Sequence, residues 1–117
     1  MAESFRQIGI PMVWYERLYI GSLVSRSAEQ VRLKIEEGKY PPGVWVIVLP
    51  KGGSSVLEMM RADQLKSVYV RSGMLMIVGL AFSRTEAEYL VQKIVQQTWD
   101  AQKDADVKHF LEENVRR

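Results

Sequence analysis

The sequence predicts an α+β fold, a two-layer sandwich in which a mostly antiparallel sheet of about four strands carries two main helices on one face. Two apolar runs bounded by turn residues, at 44–49 and 74–82, predict strands, and two segments with apolar residues at helical spacing predict the helices. The chain of 117 residues shows no repeat or linker, so we expect a single domain over 1–117. Residues 1–11 are expected to form an N-terminal arm, and residues 112–117 a frayed tail.

The predicted element order begins with a strand and a helix. Residues 12–24 are rich in β-forming side chains and contain no internal proline, which predicts a strand. A capping-box sequence that begins at Ser27 is followed by apolar residues on one helical face, which predicts a helix over 26–37. Gly38 stands where a left-handed residue ends a helix, and two prolines follow it.

A hairpin follows in the predicted order. Residues 44–49 are six consecutive apolar residues with Pro or Gly at both ends, which is typical of a strand buried on both faces. The loop 51–55 then leads into a returning strand over 56–60. Two interpretations of the segment 61–73 stay open, because it fits one helical turn and also a short strand at 68–70.

The last strand and the longest helix complete the order β-α-β-β-β-α, to which a short C-terminal helix is added. Residues 74–82 form the second apolar run, with Gly79 as a bulge or a point of close packing. A second capping box begins at Ser83, and apolar residues then recur at spacings of three and four, which predicts a helix over 84–101. An aspartate beyond it is expected to cap the short terminal helix.

The composition excludes several classes of site and favours none. The chain has no Cys and one His, which excludes disulfides, thiolate metal sites and a Cys nucleophile. We expect no cofactor, no metal and no group of catalytic residues, so whether the protein is an enzyme stays open, with the balance against it. The 16 Lys+Arg and 14 Asp+Glu are mixed along the chain. No signal peptide or membrane helix is evident, which predicts a cytoplasmic protein without membrane contact.

The leading functional hypothesis is a small non-enzymatic binding or assembly module that self-associates through an apolar sheet face. Two helices on one face would leave the other face of the apolar strands bare, and symmetric dimers commonly bury such surfaces. We therefore expect a homodimer, with an unknown protein partner as the other possibility for that face. The candidate interface residues are Trp45, Ile47, Leu49, Met74 and Met76.

Two alternatives belong to other functional classes. The first is a nucleic-acid-binding module that uses exposed aromatic residues and scattered cations, namely Lys51, Arg61, Lys66, Arg71 and Arg84. The second is a small-molecule-binding domain or a weak enzyme with a pocket near Glu58 and Tyr69. For this alternative, Glu58 is the carboxylate of interest because it lies inside a predicted strand beside apolar residues.

Overall fold

A computed structural model of the chain describes residues 13–50, 56–66 and 75–116. The helices are α1 (Ala28–Glu36), α2 (Arg84–Gln102) and α3 (Val107–Arg116), and the strands are β1 (Val13–Ile20), β2 (Trp45–Pro50), β3 (Glu58–Arg61) and β4 (Leu75–Ala81). Short 3₁₀ turns lie at Ser25–Ser27 and Ala62–Gln64. The α+β class and the four strands are therefore confirmed. The predicted arm 1–11, the loop 51–55 and the strand considered at 68–70 lie outside the described residues.

The sheet has the strand order β1-β4-β2-β3 and is mixed. Strand β2 pairs antiparallel with both β3 and β4, which confirms the predicted hairpin between β2 and β3. Strand β1 instead pairs parallel with β4, from Val13 opposite Met76 to Ile20 opposite Leu80. The last strand in sequence therefore lies inside the sheet, between β1 and β2.

Both faces of the sheet are covered by helices of the same chain, which corrects the prediction that the two main helices share one face. Successive residues of a strand point to opposite faces. On one face, Val46 of β2 belongs to a core cluster with Ile35 of α1. On the other face, its neighbour Ile47 belongs to a second cluster with Ile94 of α2 and Leu111 of α3. Strand β2 is apolar on both sides because each side lies beneath a helix.

Strand β4 contains a bulge next to Gly79, the residue at which a bulge or close packing is predicted. In its pairing with β2, Ile47 lies opposite Gly79 and Val48 lies opposite Ile77, so Val78 is the extra residue. A Cβ atom at Gly79 would lie 2.8 Å from Cδ1 of Ile47. A larger residue would force the end of the buried Ile47 side chain to move, so glycine favours close packing between the two central strands.

The end of α1 follows from local sequence chemistry, whereas its beginning departs from the prediction. Gly38 has a φ of +82° and donates its N–H to the carbonyl of Ile35 at 3.0 Å. The N–H of Lys39 bonds the carbonyl of Lys34 at 2.8 Å, which completes a Schellman motif. At the other end, Ser27 makes no side-chain capping bond, and the chain enters the helix through a 3₁₀ turn.

The terminal helix α3 is capped as predicted and is longer than predicted. The Asp106 carboxylate accepts the backbone N–H of His109 at 3.1 Å, the bond of a helix N-cap. The helix continues through Arg116, so residues 112–116 are helical although 112–117 were expected to fray. The side chain of Val115 packs against the second core cluster, which explains why this part of the chain is held.

Glu86 joins the start of α2 to the loop that follows β1. The hydroxyl of Ser83 accepts the backbone N–H of Glu86 at 3.0 Å, which confirms the second capping box. The Glu86 carboxylate in turn accepts the backbone N–H groups of Phe82 and Leu23, each at 2.9 Å. A Cβ atom at Gly21 would overlap this carboxylate. The ends of the two parallel strands are thus joined through one side chain.

Candidate ligand-binding cleft

Two tyrosines of β1 connect this edge strand to both C-terminal helices. The rings of Tyr15 and Tyr19 stack with centroids 6.3 Å apart and planes 7° from parallel. The Tyr15 hydroxyl donates to the carbonyl of Leu111 at 2.8 Å and accepts a bond from Nδ2 of Asn114 at 3.2 Å. The Tyr19 hydroxyl donates to Oε1 of Gln97 at 2.5 Å. These bonds hold one amide of α2 and one amide of α3 beside β1.

We expect the Tyr19 hydroxyl to make the free energy of unfolding depend on pH in the alkaline range. Burial, with a smaller contribution from Tyr15, raises the pKa of Tyr19 from 10.0 to about 12. The unfolded chain therefore ionises this phenol first, and the free energy of unfolding should fall as pH rises from 10 to 12. In Tyr19→Phe the fall that is due to this phenol should be absent. At neutral pH the same variant should have a free energy of unfolding about 1 kcal/mol lower, because the hydrogen bond to Gln97 is lost. Urea unfolding of both proteins across this range measures it, and an identical fall in both would contradict it.

A cleft of about 520 Å³ lies between β1, α2 and α3. Its size falls within the range of about 300–1,000 Å³ that is usual for small-molecule sites. Lys93, Gln97 and Asp100 follow one another at spacings of four and three, which sets them along one side of α2. The complete lining is Arg17, Tyr19, Lys93, Gln97, Asp100, Ala101, Phe110 and Asn114.

The lining combines charge with hydrogen-bonding groups that are already oriented. Gln97 uses its carbonyl oxygen for Tyr19, so its NH₂ group is the part that can donate to a ligand. Asn114 uses its NH₂ group for Tyr15, so its carbonyl oxygen can accept. The cleft also carries two cations, Arg17 and Lys93, against one carboxylate. Such a site suits a small ligand with net negative charge.

Two other cavities also border β1. One, of about 570 Å³, lies on the α1 side, where Arg32 covers the Trp14 ring with its guanidinium carbon 4.8 Å from the centroid. The other, of about 390 Å³, lies between β1 and α3 and is lined partly by Trp14, Met76 and Val115. The cleft of Tyr19 differs from both because hydrogen-bonding side chains from three elements converge in it.

The predicted interface residues lie largely inside the fold. Ile47 and Leu49 are buried beneath α2 and α3, which corrects their assignment to an exposed apolar face. Trp45 and Met76 are half-buried and pack against the same core, and Met74 lies outside the described residues. The homodimer stays a prediction, because the described part of the sheet has no uncovered apolar face that would require it.

Of the predicted cationic contacts, Arg61, Lys66 and Arg84 lie within the described residues. Two of them form exposed ion pairs with Nε–O distances of 3.3 Å, Arg61 with Asp63 and Arg84 with Glu88. Lys66 is exposed, whereas Lys51 and Arg71 lie outside the described residues. Binding of nucleic acid stays a prediction.

The pocket predicted near Glu58 and Tyr69 also stays a prediction. Glu58 is exposed on β3, opposite Val48 of β2, and Tyr69 lies outside the described residues. The cleft described above lies at β1, the opposite edge of the sheet. Its residues come from three segments that are far apart in the sequence, so their spacing does not connect them.

Within residues 13–50, 56–66 and 75–116, no three His, Cys, Asp or Glu side chains are grouped so that they could hold a metal ion. None of the helices formed by those residues is long and apolar enough to cross a membrane. Comparison of the chain with models of protein families, with curated proteins and with solved structures found no match.

Proposed function

We propose that the protein is a binding module that takes a small anionic ligand in the cleft between β1, α2 and α3. One observation carries the proposal: Arg17 and Lys93, from two different elements, line the cleft together with amide groups that two tyrosines hold in place. The class of function is that of the small-molecule alternative predicted from the sequence. The cleft, however, lies at the other edge of the sheet from the pocket predicted near Glu58 and Tyr69. The ligand's negative group would lie near the cations and accept from the Gln97 NH₂ group.

Preorganisation supports this function. A side chain that is already held loses less conformational freedom when a ligand arrives, and the affinity is correspondingly higher. Tyr19 holds Gln97 from β1, and Tyr15 holds Asn114 from the same strand. The two cations are exposed, so their contribution should weaken as the salt concentration rises.

The experiment compares two variants with the same change of charge. Lys93→Met removes a cation of the cleft, and Lys34→Met removes an exposed cation of α1, on the opposite face of the sheet. We expect acetate, succinate or inorganic phosphate to raise the melting temperature of the parent protein, because a ligand of the native state stabilises it. Calorimetric titration should show binding about two- to fivefold weaker in Lys93→Met, since an exposed charge pair contributes about 0.5–1 kcal/mol.

Two outcomes would contradict the proposal. In one, none of these anions stabilises the parent protein. In the other, Lys34→Met weakens binding as much as Lys93→Met, which would mean that the anions respond to the total charge of the protein and not to the cleft.

A cytoplasmic location and a homodimer remain proposals as well. For the homodimer, the exposed side chains Val95 and Trp99 of α2, 41% and 52% accessible, offer an apolar surface in place of the covered sheet face. Two copies of the chain would bury these side chains against each other. Sedimentation across a dilution series measures the mass, and a monomer at every concentration would refute the homodimer.

A further inference from the structure

The connection between α2 and α3 turns without a residue that breaks a helix. It consists of Lys103, Asp104, Ala105 and Asp106, so it contains neither Gly nor Pro. Lys103 nevertheless has a φ of +61°, and it is the one residue other than glycine with a positive φ among those that the structure describes. The Cβ atom of an L-residue makes this left-handed conformation unfavourable, which is why glycine usually occupies such a position. The turn is therefore strained at its first residue.

Two aspartates stabilise the turn against this strain. Asp106 accepts the backbone N–H of His109 at 3.1 Å. Asp104 accepts the backbone N–H of Asp106 at 2.9 Å and a bond from Nε2 of Gln102 at 2.8 Å. In a continuous helix the same backbone N–H groups would bond carbonyls four residues earlier. The aspartate bonds thus favour a turned connection, and the conformation of Lys103 disfavours it.

The site that α3 occupies is formed by the rest of the chain and does not depend on the connection. Val107, Phe110 and Leu111 are buried in the second core cluster. The Tyr15 hydroxyl donates to the carbonyl of Leu111 at 2.8 Å, so β1 also holds the helix. The α3 helix of a second copy carries the same side chains and can make the same contacts. A monomer and a dimer that has exchanged this helix therefore bury the same core and differ mainly at the connection.

We propose that two copies of this chain exchange α3, and that residues 103–106 then join α2 and α3 into one helix over 84–116. The partner is a second copy because the site fits the side chains of this particular helix. Exchange removes the left-handed conformation of Lys103 from both copies and gives up the aspartate bonds, so these two effects offset each other. High protein concentration then favours the dimer.

The exchange changes which chain completes the cleft between β1, α2 and α3. Gln97 of α2 and Asn114 of α3 both line this cleft. Along a continuous helix they would lie about 25 Å apart, so one chain could not place both there. In the dimer the partner's Asn114 takes this position and donates to the Tyr15 hydroxyl. Each cleft is then built from both copies.

Sedimentation equilibrium of the full chain measures the dissociation constant of the dimer in variants of the connection. Lys103→Gly relieves the strain in the monomer and disfavours the continuous helix, so it should raise the dissociation constant at least about tenfold. Lys103→Ala, the matched control, removes the same charge but keeps the Cβ atom, and should not raise it. Asp106→Ala removes a bond that holds the turn in each copy and should lower the dissociation constant about tenfold.

A second measurement identifies the exchange itself. The sequence has no Cys, so Gln92→Cys and Glu112→Cys, at exposed positions of α2 and α3, can carry spin labels at defined sites. An excess of unlabelled chain ensures that each dimer holds one pair of labels. Pulsed electron spin resonance should give about 30 Å in the dimer, the length of a continuous helix between these residues. In the monomer the distance should be shorter, because α3 packs against α2.

Three outcomes would overturn the inference. The first is an Asp106→Ala chain that stays monomeric up to its limit of solubility. The second is a dimer whose label distance equals that of the monomer, which would indicate association through another surface, such as that of Val95 and Trp99. The third is a Lys103→Ala variant that weakens the dimer as much as Lys103→Gly. None of these measurements involves a ligand, so their failure leaves the proposed function of the cleft standing.

Discussion

Ile47→Ala is expected to lower the free energy of unfolding by about 2–5 kcal/mol, the usual cost of truncating a fully buried aliphatic side chain. Ile47 has no accessible surface and lies in a core cluster with Ile94 of α2 and Leu111 of α3. Gly79 of β4 approaches it so closely that little rearrangement could fill the space left by the lost atoms. Urea unfolding followed by circular dichroism measures the loss.

The same measurement tests whether the chain covers its own sheet. Because α2 and α3 belong to the same chain as Ile47, the loss should be the same at every protein concentration. Leu33→Ala is the control, since Leu33 on α1 is 56% exposed and should cost less than about 0.5 kcal/mol. A loss in Ile47→Ala that depends on concentration, or is as small as the control, would contradict burial within one chain.

Glu86→Ala is expected to cost about 2–3 kcal/mol. The substitution removes a carboxylate that accepts two backbone N–H groups, those of Leu23 and Phe82, and hydrogen bonds to a charged group contribute about 1.5–3 kcal/mol each when they are well shielded. Both bonds are exposed, which reduces the contribution of each to about 1–1.5 kcal/mol, so the two together contribute about 2–3 kcal/mol. Thermal and urea unfolding measure the loss.

A double-mutant cycle with Gly21 sharpens this prediction. Gly21→Ala alone should destabilise the protein, because the new Cβ atom would overlap the Glu86 carboxylate and displace it from its donors. In the Glu86→Ala background the same change should cost much less, so the two effects should not add. Glu88→Ala, which removes an exposed ion pair with Arg84, is the control and should cost less than about 1 kcal/mol. Additive effects of the Gly21 and Glu86 substitutions would contradict the proposed contact.

Local sequence chemistry predicts the elements of this fold well. The helix predicted over 84–101 is observed at Arg84–Gln102, because its start depends on the hydroxyl of Ser83, which acts within one turn. The end of α1 depends in the same way on the left-handed conformation of Gly38. These interactions join residues only a few positions apart, so they can be predicted from a single sequence.

The arrangement of the helices could not be predicted in the same way. Alternate residues of β2 are equally apolar, so the pattern indicates that both faces are covered but does not say by which helix. The apolar arc of α2 is also wider than the part of the helix that is buried. Val95 belongs to the predicted stripe and is nevertheless 41% exposed, whereas Ile94 beside it has no accessible surface.

The candidate site is even harder to predict from the sequence than the arrangement of the helices. Its framework depends on Tyr19 with Gln97, 78 positions apart, and on Tyr15 with Asn114, 99 positions apart. Periodicity reports the face on which a residue lies, not its partner in a distant element. The burial of Tyr15 is what an apolar pattern can indicate, whereas no pattern reports the hydroxyl bonds by which Tyr15 and Tyr19 orient two amides.

The position of β1 beside β4 determines the order in which the chain can assemble. Val13 pairs with Met76, so this early strand emerges from the ribosome long before its sheet neighbour has been synthesised. The hairpin of β2 and β3 needs only local contacts and can form first, whereas the β1–β4 ladder must close a long loop, which slows folding. Until that ladder forms, Trp14 lacks Ile77, the residue of β4 opposite it in the folded sheet, and exposed apolar surface of this kind favours aggregation.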